Sequence, residues 1–235
     1  MTSLPHHNLS TTSQPAAASG QTCKSIGSDD PSPHAELERC GGISGMNESV
    51  EGLPIQRLLD KVGARTTAPG GGSVAGIVAA LAGALAGMCA RFSDGDHADF
   101  ARQTDELRAK AASLAQSDLA VYPDYIRARR AGRDGEVRAA LDEIIRIPLE
   151  VAEVAAELAE LAGGLARSGN PNLRGDATVA VLMGSAAARA GAVLVCENLA
   201  DTNSDPRLAR AAALVTAVSA TEREALSLYP VLTTP

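Results

Sequence analysis

Ala68-Pro69-Gly70-Gly71-Gly72-Ser73-Val74-Ala75-Gly76 opens a run that reaches Ala90 without one charged side chain, and this stretch decides how the rest is read. No helix traverses Pro-Gly-Gly-Gly, so residues 66–73 are expected to form a loop whose glycines permit positive φ. Beyond it small apolar residues fill nearly every position, which predicts a helix over residues 73–92, with Ser73 as its cap. A helix apolar all round either crosses a membrane or lies inside a bundle. The uncharged run approaches the lower limit for a span, but Ala and Gly dominate it and no aromatic belt flanks it. Gly76, Gly83 and Gly87 let backbones approach closely. A central helix, surrounded by neighbours or crossing its own symmetry mate, is the expectation, with no membrane.

Working outward, the signals stay helical. Leu53, Ile55, Leu58, Leu59 and Val62 give a short amphipathic helix before the loop. Further helices are expected over residues 96–130, 134–168 (bent at Pro148), 176–199 and 205–228, with Asn170-Pro171-Asn172 as a turn. The fold class is therefore all-α, a single bundle of about six helices. Aromatic residues make up only 2% of the 235-residue chain and Trp is absent, which disfavours sandwiches and barrels. Residues 1–50 are rich in Ser, Thr, Gly and Pro without periodicity and are expected to be a disordered tail, with residues 51–235 as the helical domain.

The net charge is −7 with both signs interspersed, and no basic tract is interleaved with aromatics, so no nucleic-acid partner is expected. Cys23, Cys40, Cys89 and Cys196 form no CxxC pair, which points to a reducing, cytoplasmic setting. His6, His7, His34 and His97 stand at no metal-ligand spacing, and Asp94, Asp96, His97 and Asp99 miss the EF-hand pattern. No metal is expected.

Two constellations can carry chemistry. Gly70, Gly71, Gly72 and Ser73 lead into a helix whose unpaired N–H groups favour an anionic or carbonyl oxygen. The loop is neither a Walker loop nor a dinucleotide fingerprint, because Lys is missing and no strand precedes it. A plain helix-entry turn is the alternative. Gly169-Asn170-Pro171-Asn172-Leu173-Arg174-Gly175-Asp176 sets an acid at a second helix start, either as a dipole partner or, with Asn170 and Asn172, as a surface for a heterocycle edge.

Taken together, Ala68 to Ala75, Asp118 with Tyr122 four residues on, Ile147-Pro148-Leu149-Glu150, Gly169 to Asn172, Asp176-Ala177 and Asn198-Leu199 resemble the cyclodeaminase/cyclohydrolase family over residues 50–230. The resemblance implies a dimeric all-helical fold with sites near the subunit interface, and a folate-type small molecule as substrate. It implies catalysis by Asp176, with Asp118 second. Gly70, Gly71, Gly72, Ser73, Tyr122, Asn170, Asn172 and Asn198 would bind substrate, with no cofactor beyond the tetrahydrofolate itself. The implied reaction opens 5,10-methenyltetrahydrofolate to 10-formyltetrahydrofolate. The alternatives are cyclodeamination of formiminotetrahydrofolate and a non-catalytic helical dimer that binds a small molecule. The chain departs from the family pattern at Gly175, where a Ser is common, and at Leu194-Val195-Cys196-Glu197, where an amide and a cation are common.

Overall fold

The computed structural model describes residues 49, 52–93, 97–200 and 204–233. The tail expected over residues 1–50 lies almost wholly outside them, as do Asp94 and Asp96. The described chain forms α1 (Ile55–Val62), α2 (Gly71–Arg91), α3 (Ala98–Arg130), α4 (Asp134–Ser168), a 3₁₀ turn (Pro171–Leu173), α5 (Arg174–Asn198), α6 (Pro206–Ser227) and a final turn, α7 (Pro230–Thr233). No strand occurs among the described residues.

Helix α2 starts at Gly71, two residues before the expected start, with Gly70 in the capping position. Ser73 is therefore already inside the helix and is not its cap. Among the described residues only Gly132 has positive φ, so the loop glycines serve space and not handedness.

Glycine spacing explains how α2 sits among its neighbours. A Cβ on Gly76 would lie 2.8 Å from the Ala115 Cβ, and one on Gly83 would lie 3.0 Å from the Arg108 Cβ. From one pair to the next the chain advances seven residues on α2 and retreats seven on α3, so the two helices run antiparallel along a seam of bare backbone. Helices α4 and α5 repeat the device: a Cβ on Gly184 would meet the Ala155 carbonyl oxygen at 2.9 Å, and one on Gly191 would meet the Pro148 carbonyl oxygen at 2.5 Å. Helix α2 thus touches α3, α4 and α5, while α6 closes the bundle over α4 and α5. Val151, Val154, Ala155, Leu158, Ala79 and Val218 form the core between them.

Burial of α2 and α5 is one-sided. Both are long and apolar enough to cross a membrane by length and composition, and the bundle covers about half of each. Leu81 remains 53% exposed, and α5 likewise leaves Val179, Leu182 and Val193 exposed. Helix α1 packs little on the bundle and leaves Ile55, Leu59 and Val62 exposed.

Candidate active site

The hollow at the N-terminal end of α2 is small, about 180 Å³, and is lined by the loop (Thr67, Ala68, Gly70, Gly71, Gly72), by Asp118, Val121 and Tyr122 of α3, by Ile144 of α4, and by Leu194 and Asn198 of α5. Asp118 is its single carboxyl. Ser73 Oγ donates to Asp118 Oδ2 at 2.7 Å. A Cβ on Gly72 would fall 2.1 Å from Oδ1, so the carboxylate occupies room that any side chain at that position would take. Burial pushes the Asp118 carboxyl above the ordinary carboxylate range, and donation from the Ser73 hydroxyl and N–H partly offsets it. A carboxyl of this kind trades protons nearer neutrality than a solvated one does.

The far wall depends on a proline. Pro148 lies inside α4 and supplies no N–H, so the Ile144 carbonyl loses its helical partner. Asn198 Nδ2 donates to that carbonyl at 3.1 Å. Its amide therefore mends α4 where Ile144 borders the hollow. Leu194 fits against Gly71, 3.7 Å from where a Cβ would be.

At the other end of α2 the residues are knotted together. Asn170 Nδ2 donates to the Phe92 carbonyl at 2.8 Å, the Asn170 N–H donates to Ser93 Oγ at 2.9 Å, and Asn170 Oδ1 accepts from the Asn172 N–H at 3.0 Å. Ser93 Oγ in turn donates to the Cys89 carbonyl at 2.8 Å. Asp176 lies in the first turn of α5, beside this knot. Burial, and then the charge of Asp176, push the Cys89 thiol up to about 11, which keeps it protonated and inert. Ser73 and Cys89 are 16 residues apart on one helix, so Asp118 and Asp176 are separated by roughly 24 Å along its axis. Asp176 is not among the residues that line the hollow of Asp118.

A family model described as formiminotransferase-cyclodeaminase matches residues 54–217, most of the chain. The chain belongs to this family. Relatives of the formiminotransferase-cyclodeaminase family with similar sequences include the formimidoyltransferase-cyclodeaminase of Rattus norvegicus, 30% identical over 155 residues, which cover 58% of this chain and 29% of that protein. The Sus scrofa protein of the same name is 28% identical with the same coverage. The chain thus spans under a third of the length of these mammalian relatives. The methenyltetrahydrofolate cyclohydrolase of Methylorubrum extorquens is 27% identical over 162 residues, 61% of this chain and 78% of that protein. The crystal structure of formiminotetrahydrofolate cyclodeaminase from Thermotoga maritima superposes with a TM-score of 0.71 at 26% identity, over 79% of this chain and all of that one.

Several residues that the resemblance to the formiminotransferase-cyclodeaminase family marks as substrate binders have other duties in the fold. Ser73 is fully buried and bonds Asp118. Asn170 is the staple of the distal knot, and the exposed Asn172 belongs to the same turn. Asn198 borders the hollow, but its Nδ2 is committed to α4. Gly70, Gly71, Gly72, Asp118 and Tyr122 do meet around one space. Sequence reasoning missed Ile144 and Val121 as wall residues. For Ile144 a signal existed, since a proline within a helix strips the carbonyl four residues before it.

Proposed function

We propose that the protein acts on the one-carbon unit bridging N5 and N10 of a reduced folate, opening 5,10-methenyltetrahydrofolate to 10-formyltetrahydrofolate. Membership of the family supports the substrate class. The single observation that carries the chemistry is Asp118, a half-buried carboxyl facing a glycine backbone in a hollow lined, among the described residues, by no other charge.

The methenyl carbon of the substrate is part of a delocalised cation. An ionised Asp118 steadies it and accepts a proton as water oxygen bonds to that carbon. The adduct collapses as the C–N5 bond breaks. Asp118 returns the proton to N5, the adduct's hydroxyl gives its own proton to solvent as the C=O bond forms, and the formyl group remains on N10. Tyr122 is assigned to the ring edge, and the glycine backbone to polar atoms of the substrate. Neither this reaction nor the next calls for a metal or a redox group, and the protein is proposed to work in the cytoplasm without one. A second reading is cyclodeamination, in which N10 attacks the formimino carbon, its proton passes to the departing nitrogen, and ammonia leaves with a further proton from the same carboxyl. The likeness to the Thermotoga maritima cyclodeaminase favours it.

The working form is proposed to be a homodimer. A hollow of about 180 Å³ falls below the roughly 300–1,000 Å³ typical of sites that enclose a ligand of this size. The bare apolar face of α2 and α5 offers the missing wall, because Leu81 is the midpoint of α2 and α5 runs antiparallel beside it. A two-fold axis across these midpoints brings the distal end of one subunit over the hollow of the other. The partner's Asp176 then joins Asp118, consistent with the catalytic role that the resemblance implies for it.

Side-by-side assays on methenyl- and formiminotetrahydrofolate test the reaction. Loss of methenyl absorbance with wild type and its absence with Asp118→Asn is the expected result. No turnover of either folate would overturn the enzymatic reading and leave a helical dimer that binds a small molecule.

A further inference from the structure

Helix α2 begins without a cap of its own. Gly70 has no side chain to offer, and the first turn holds no acid. The first N–H groups of a helix lack partners within it. Here an acceptor comes from a different helix: Asp118 of α3 accepts from the Ser73 hydroxyl at 2.7 Å, and the nearby Ser73 N–H also favours its charged form. Ser73 is 0% exposed, so its hydroxyl is out of reach of anything in the hollow.

We propose that Ser73 and Gly72 are positioning residues for Asp118: the Ser73 hydroxyl fixes one carboxylate oxygen, and the bare Cα of Gly72 makes the room that the other occupies. With Oδ2 held by the Ser73 hydroxyl and Oδ1 lying over Gly72, the carboxylate has one orientation on the wall of the hollow. The Ser73 hydroxyl and N–H stabilise its charged form against a burial that favours the neutral one. Among the described residues of one subunit no other charged side chain lines the wall, and the partner's Asp176, brought there in the proposed dimer, is common to wild type and Ser73→Ala. The loop contributes Thr67, Ala68 and glycines, α4 contributes Ile144, and α5 contributes Leu194 and Asn198; Tyr122 of α3 is the other titratable group. Losing the Ser73 hydroxyl therefore leaves the Asp118 carboxyl harder to ionise.

The activity arm of this inference rests on the folate reading; the titration arm does not. The full chain carrying ¹³C-labelled aspartate is titrated by NMR, with the Asp118 carboxyl signal identified by its loss in Asp118→Asn. Ser73→Ala is expected to move the Asp118 midpoint upward by about one pH unit. The pH of half-maximal kcat on the acid side follows by the same amount, with KM within about twofold of wild type. In the Asp118→Asn background, Ser73→Ala changes the residual rate no further, as two residues acting through one group require. An unmoved midpoint in a folded Ser73→Ala protein overturns the proposal, as does an equal loss of rate at every pH or an added loss in the Asp118→Asn background. If wild type turns over neither folate, the folate reading fails and the titration alone decides the coupling. Should Ser73→Ala not fold, Ser73→Cys, a weaker donor, substitutes for it, with a smaller upward movement expected and none overturning the proposal.

Discussion

At the N-terminal end of α2, glycines meet a carboxylate from α3 and leave a hollow; at its C-terminal end, an asparagine turn meets the same helix and ties it down with hydrogen bonds. Both ends set an aspartate close to a helix start. At the first end the glycines remove side chains, so the carboxylate sits against backbone with open space in front of it. At the second end Asn170 turns its whole hydrogen-bonding capacity inward onto Phe92, Ser93 and Asn172. A site needs polar groups that face open space after folding, and at the glycine end Asp118 does so within one subunit. In the proposed dimer the distal end contributes by being carried rigidly to another copy.

The sharpest way to break this comparison is to remove each acid in turn. Asp118→Asn is expected to lower kcat by about 10²–10⁴-fold, the usual worth of a positioned acid–base group. Asp176→Asn is expected to lower it as well, and mixing the two inactive proteins restores roughly a quarter of wild-type activity, since half of the redistributed dimers hold one intact site. Failure to complement in a dimer shown to exchange subunits would confine the site to one chain.

Gly72→Ala drives a methyl group into the carboxylate and is expected to abolish turnover while costing about 1–3 kcal/mol of stability, read by denaturant unfolding. At the distal end Asn170→Ala should cost about 1–3 kcal/mol, with kcat little changed. Equal damage to kcat would make the knot more than a staple. Smaller still, Asn198→Ala strands the Ile144 carbonyl, at about 1 kcal/mol. Pro148→Ala restores an amide to α4, so the two changes together should cost less than their sum; strict additivity would dissociate Asn198 from the proline.

The smallest effect concerns pH. Asp118 titrates above its ordinary range in the folded chain, so the native state holds more protons than the unfolded one between the two midpoints. Its contribution to stability is therefore full below the ordinary carboxylate range and is lost as pH rises through the folded midpoint. Relative to wild type, Asp118→Asn should gain stability over that rise, by thermal unfolding at matched pH values.

The helices and their order were legible because Ala-rich periodicity and the breaks at Pro-Gly-Gly-Gly and Asn-Pro-Asn are local facts. Asp118 and Tyr122 were legible as one helix face. What Ser73, Asn170 and Asn198 do was not, since each finds its partner 45 or more residues away and a hydroxyl or an amide looks the same whether it meets ligand or backbone. The start of α2 moved for a related reason: an acceptor supplied from α3 lets the helix begin at a glycine, where sequence alone sees no cap.

That borrowed acceptor has a consequence for how the chain is made. The ribosome delivers Ser73 well before Asp118, 45 residues later. In the interval a long uncharged helix has neither its terminus sealed nor its glycine seam covered. Nascent α2 is therefore a sticky intermediate until α3 arrives, and variants that delay that arrival should appear as insoluble protein before they appear as slow enzyme.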